Sequence, residues 1–116
     1  MKTIDAKYVW IRAGDDHRFT AVWFVRVNGC VYVRSWYVKP AGWHAAFLRE
    51  KRGAMKFAKD GSEIPVRAVV TRSERIQDAV ERAYAEKYTT PSSMKYVKGF
   101  RTPGRRATTM ALVPVR

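Results

Sequence analysis

A chain of 116 residues is long enough for one domain with one hydrophobic core, and residues 1–116 are read as that single domain. Its 47% apolar and 13% aromatic content is that of a folded protein, which excludes wholesale disorder, and no apolar run approaches the roughly 20 residues of a membrane helix. The formal charge of +13, from 23 Lys and Arg against 10 Asp and Glu, calls for an anionic partner: nucleic acid, or a small phosphorylated or carboxylated ligand.

The start, MKTIDAKYVW, lacks the apolar centre of a signal peptide, so a cytoplasmic protein is expected. Cys30 is the single cysteine, which rules out an intramolecular disulfide. With only His17 and His44 available elsewhere, neither a metal centre nor a thiol nucleophile is expected, and Cys30 reads as packing.

Lys7 to Arg12 alternates β-prone residues before Gly14-Asp15-Asp16, giving a first strand with Tyr8 and Trp10 on one face. Two runs rich in Val, Trp, Phe and Tyr then flank Asn28-Gly29, the pair best suited to the positive φ angles of a type I′ turn. Strands are expected near 19–27 and 30–36. Pairing Val27 with Cys30 sets Val25 opposite Tyr32, Phe24 beside Val33, Trp23 beside Arg34 and Val22 beside Ser35. One face, with Val22, Phe24, Val31 and Val33, reads as core. The other carries Trp23, Tyr32, Arg34 and Trp36, flat rings beside a guanidinium, a surface for a partner or a planar ligand.

Pro40 ends that strand, and Ala41 to Arg52 places Trp43, Ala46, Phe47 and Glu50 at helical spacing, with Gly53 as a left-handed cap. Met55–Ala58 and Glu63–Thr71 read as a second hairpin turning on Asp60-Gly61, with Phe57 opposite Ile64 and Met55 opposite Val66. Pro65 on its outer face points to an edge or a bulge. From Ser73 to Tyr88 the period changes to about 3.6, with Ile76, Ala79, Val80, Ala83, Tyr84 and Tyr88 in one stripe. Thr71 with Glu74, or Ser73, caps this helix, and Asp78 with Arg82 can pair across a turn. The acids Glu74, Asp78, Glu81 and Glu86 fall on its solvent side. Residues 89–106 form a basic loop containing Tyr96 and Phe100, either a lid over a groove or a solvated connection. Alternation from Ala107 to Val113 gives a last strand. Antiparallel hairpins dominate this order, and six strands with two helices fit a small closed barrel, which removes exposed edges.

The element order, together with WFVRVNGCVYVRS, a loop leading to GW, KDGSEIPVRAVV, a helix ending AYAEKY and the closing ATTMALVPVR, resembles an uncharacterised bacterial domain-of-unknown-function family. That family looks related to the split β-barrel flavin and deazaflavin binders, which include pyridoxamine phosphate oxidases and deazaflavin-dependent nitroreductases. The resemblance covers nearly the whole chain. It implies an α+β fold, a six-stranded antiparallel split β-barrel with two helices, a homodimer, and FMN or a deazaflavin coenzyme in a groove near the subunit interface.

The residues themselves place an anionic cofactor after the third strand. Arg34, Ser35 and Lys39 offer donors there, free amides near Ala41, Gly42 and Trp43 suit a phosphate, and Trp23, Trp36 and Trp43 can flank a flat ring. A structural reading stands beside this: Trp43 and Phe47 pin the helix, and Arg34 stacks on Trp23. No acid, base or nucleophile motif is present, so no catalytic residue is named, and a bound isoalloxazine or deazaflavin would carry any hydride chemistry. A homodimer burying Trp23 and Tyr32 is expected. The rival function is a nonenzymatic nucleic-acid-binding barrel stacking bases on Trp23, Tyr32 and Trp36. Its basic residues are scattered, so nonspecific, salt-sensitive nucleic-acid binding is expected instead.

Overall fold

Asn28 and Gly29 take positive φ, 54° and 80°, as the turn between two strands requires. The computed structural model describes residues 7–15, 17–36 and 42–115. Its strands are β1 (Tyr8–Ala13), β2 (Thr20–Trp23), β3 (Val25–Val27), β4 (Cys30–Val33), β5 (Arg52–Lys56), β6 (Ile64–Val70) and β7 (Met110–Pro114). Its helices are α1 (Gly42–Arg49), α2 (Glu74–Lys87), α3 (Pro91–Gly99) and α4 (Pro103–Arg106).

The strands form one antiparallel sheet in the order β2-β1-β5-β6-β7-β4-β3. The two outermost strands are consecutive in the chain and separated only by Phe24, so the sheet curls until its ends meet. The result is a mixed α/β architecture around a nearly closed antiparallel barrel. The described residues form seven strands and four helices, where six and two were expected.

Two local causes account for the difference. The strand expected over 19–27 changes neighbours midway: Trp23 pairs with Tyr8 on β1, whereas Val25 pairs with Tyr32 on β4. The turn-proximal register is as expected, with Val27 opposite Cys30. Trp23, Phe24 and Val22 leave that ladder, so the pairings with Arg34, Val33 and Ser35 do not form. The stretch expected as a loop over 89–106 holds α3 and α4, each with proline in its first turn, where the missing N–H has no helical partner to lose.

The break at Phe24 would orphan backbone groups inside the protein, and α2 satisfies them. The Phe24 N–H donates to the Tyr88 hydroxyl (3.0 Å), and the Phe24 carbonyl accepts from Lys87 Nζ (2.9 Å). That hydroxyl also lies 2.7 Å from the Lys7 carbonyl and 2.9 Å from that of Phe24, while Tyr84 donates to the Trp23 carbonyl at 3.2 Å.

Packing divides into two cores. Inside the barrel, Val9, Ile11, Phe24, Val33, Met55, Val66 and Leu112 meet Ala46 and Phe47 of α1. Outside it, α2 and α3 bury Val80, Tyr84, Val97 and Phe100 against Val25, with Trp23, Tyr32 and Trp36 partly buried beside them. The chain's own helices therefore cover part of the hairpin's aromatic face.

Gly53 is not a helix cap, since α1 ends at Arg49. It lies in β5, where an added Cβ would run into the Arg12 carbonyl and come within 2.9 Å of Phe47. The second hairpin pairs Met55 with Ile64 and Gly53 with Val66, two residues out of the expected register. A two-residue slip preserves which side chains face inward, so Met55 and Val66 remain core.

Candidate functional site

The end of β4 delivers Arg34, Ser35 and Trp36 to one place, and their roles diverge. Arg34 is 2% exposed, a burial that a guanidinium tolerates only when its donors are satisfied. Nε donates to Thr109 Oγ1 (2.7 Å), Nη1 to the Phe100 carbonyl (3.0 Å) and Glu81 Oε2 (3.4 Å), and Nη2 to the Gln77 carbonyl (3.1 Å) and Oε1 (2.8 Å). Those are all five N–H groups that an arginine owns.

The acceptors are themselves held. Gln77 donates Nε2 to the Thr71 carbonyl (2.9 Å), and Thr109 donates to the Arg106 carbonyl (2.7 Å). Arg106 ion-pairs with Glu81, with Glu74 at 3.1 Å and with Asp78 at 3.4 Å. Glu81 thus bridges two arginines rather than facing solvent, and Asp78 pairs with Arg106. Burial pulls the Arg34 guanidinium below its ordinary value, and the Glu81 carboxylate pushes it back up. This residue ties β4 to α2, α3 and β7, and it has no donor left for a ligand. Its expected stacking on Trp23 is not the contact that holds it.

A cleft of about 500 Å³ opens beside this network. Tyr8, Trp23, Trp36, Trp43, Tyr96 and Phe100 supply its rings, and Thr20, Arg34 and Ser35 are its main polar side chains. Of the six residues singled out for a cofactor, Trp23, Arg34, Ser35, Trp36 and Trp43 come together here. Lys39 lies outside the described residues. No carboxylate is among the lining residues.

The rings are fixed in place by one another. Trp23 stacks on Tyr88 with centroids 4.1 Å apart and planes 4° from parallel, and meets Tyr96 edge-on at 5.9 Å. Trp36 meets Tyr96 at 4.9 Å and Phe100 at 5.7 Å, both edge-on. The Arg105 guanidinium lies 3.7 Å over Trp36 and donates Nε to its carbonyl at 2.7 Å. Gly99 makes room for that indole, since a Cβ there would overlap the ring. Trp43 packs partly on the barrel core through Phe47, at 6.4 Å, and also lines the cleft. The packing reading of Trp43 and its place on the cleft wall are therefore compatible.

Ser35 is buried, and its N–H donates to Thr108 Oγ1 (2.8 Å). On the neighbouring turn of α1, burial pulls the His44 pKa below its ordinary value. The residues missed at this site are Tyr8, Thr20, Tyr96 and Phe100. Tyr8 was legible as one face of a strand, and Tyr96 and Phe100 as aromatics in an unplaced segment.

Over residues 4–112 the chain matches a family described as "Uncharacterized protein conserved in bacteria (DUF2255)". The chain belongs to that family. No curated protein matches this DUF2255 chain by sequence. Among solved structures, it is similar to a putative pyridoxamine 5'-phosphate oxidase from Listeria innocua at 13% identity and a TM-score of 0.63, covering 95% of this chain and 85% of that one. It is also similar to the conserved hypothetical protein Rv2991 from Mycobacterium tuberculosis, at 16% identity and a TM-score of 0.55, over 94% and 72% of the two chains. At such identities the likeness is one of fold alone: the DUF2255 barrel is similar in fold to these two proteins. Among the described residues no group of three His, Cys, Asp or Glu side chains is placed to hold a metal ion, and no helix is long and apolar enough to cross a membrane.

Proposed function

We propose that the aromatic cleft binds a flavin-type cofactor, FMN or a deazaflavin, and that the protein is an oxidoreductase acting on a substrate not yet identified. The observation that carries this reading is the cleft itself, about 500 Å³ walled by Trp23, Trp36, Trp43 and Tyr96, an apolar slot of the size and character that small-molecule sites favour. The split-barrel fold supports it.

The fit differs along the cleft. Rings already locked by Tyr88, Phe100 and Arg105 would hold a planar group by stacking without reordering. Arg34, in contrast, lines the cleft with all five N–H groups committed to protein acceptors, so it braces the floor and leaves no donor for the ligand. A bound flavin or deazaflavin supplies the hydride acceptance and donation; the chain binds it, orients it and shields one side from water. Of Trp23, Tyr32 and Trp36, the rings that a single-stranded nucleic acid would need, Trp23 and Trp36 line the cleft and Tyr32 does not, which favours one planar ligand over a run of stacked bases.

Titration of the purified protein with FMN and with the deazaflavin coenzyme, followed by absorbance and fluorescence, tests this. Saturable binding at roughly tens of micromolar or tighter is expected for one of them. Absence of binding by both would remove the cofactor and the oxidoreductase reading together.

A further inference from the structure

Among the described residues the cleft has one lining cation, Arg34, and all five of its N–H groups are committed to protein acceptors. Other cations stand near rings of the lining. Lys7 Nζ lies 5.5 Å from the centre of the Tyr8 ring and 5.8 Å from that of Trp23. Lys95 Nζ lies 5.2 Å from the centre of Tyr96. Trp23 and Tyr96 meet edge-on at 5.9 Å, so the two ammonium groups stand beside rings that adjoin in the lining.

Both lysines are exposed, and among the described residues the ion pairs involve Arg12, Arg34 and Arg106 instead. Arg105 also lies over a cleft ring, but Nε and Nη1 serve the Trp36 and Gly99 carbonyls. A lysine ammonium is a compact charge on a flexible stem. Resting against a ring, it stays hydrated and can turn to meet an anion.

Building on the flavin reading above, we infer that Lys7 and Lys95 recognise the anionic group of the ligand. The planar part lies among the rings, and a phosphate or carboxylate tail lies at the mouth against the two lysines, not on Arg34. The ligand class is therefore a planar aromatic with an anionic tail, and its affinity is set partly by charge at the rim.

Comparing FMN with riboflavin, which has the same ring system and no phosphate, isolates that charge. Wild type, Lys7→Gln, Lys95→Gln and the double variant are titrated with each flavin at low salt and at about 0.3 M salt, with unfolding midpoints recorded as a control on folding. Wild type should bind FMN more tightly than riboflavin. Each single variant should weaken FMN by about 3- to 5-fold and the double by about 10-fold, leaving riboflavin and the midpoints unchanged. Added salt should narrow the FMN advantage. Equal affinity of wild type for the two flavins, an unaffected double variant, or parallel loss of both flavins overturns this inference while the flavin reading stands. If wild type binds neither flavin this inference is overturned, and the flavin-type reading falls with it only if the deazaflavin coenzyme fails to bind as well.

Discussion

A guanidinium presents its donors in a fixed plane, and Arg34 uses that plane to hold four segments of chain together. Lysine has three rotatable donors in place of five fixed ones, so Arg34→Lys leaves members of the Gln77, Thr109 and Phe100 set unpaired in a buried place. Removing such partners costs about 2–4 kcal/mol, read as a lowered urea midpoint, with flavin affinity of the folded protein unchanged. An intact midpoint with weakened flavin binding would return Arg34 to the site. Nothing local in the sequence announces this role. Its side-chain partners lie 43 to 75 residues away, and an arginine in a β-strand beside tryptophans is as consistent with a ligand contact as with a buried hub. The aromatic residues were easier, because their alternation shows the face they occupy whether that face meets a ligand or a helix.

At the level of elements, the strands whose causes are local were legible. Asn28-Gly29 sets the hairpin turn and its first three pairs, and the stripe from Ile76 to Tyr84 sets α2 with Ser73 as its N-cap. Pro91 and Pro103 misled because proline marks both the end of one helix and the first turn of the next. The Phe24 break was hidden because its remedy, the Tyr88 hydroxyl, is 64 residues distant. Tyr88→Phe keeps the ring on Trp23 and removes only that hydroxyl, so it should cost about 1–3 kcal/mol in denaturant unfolding. The Phe24 amide should then exchange with solvent faster, while Val9 and Leu112 stay protected. Unchanged exchange at Phe24 would show that another group closes the break.

For the molecule as a whole, charge bears directly on assembly. Trp23 and Tyr32, the face expected to be buried in a homodimer, are already partly buried by the helices, and Tyr8 and Tyr96, each 38% exposed at the cleft, would add aromatic surface to such a contact. Two copies that each carry +13 repel over distances that salt screens. Light scattering at several dilutions should therefore show a dimer that strengthens from low to physiological salt. A monomer at high micromolar concentration in both conditions would rule the dimer out. The sheet order carries a different consequence, for the birth of the protein. Among the described residues Met110–Pro114 is the only strand that hydrogen-bonds the β3–β4 hairpin to the rest of the sheet, and it is made after the other described strands and helices. A nascent chain can form its two hairpins and α2 as they emerge, but the barrel has to wait on the ribosome until residue 114 is free. Until then the aromatic segments around Trp23 and Trp36 lack their final packing, and these are the stretches that a chaperone would meet.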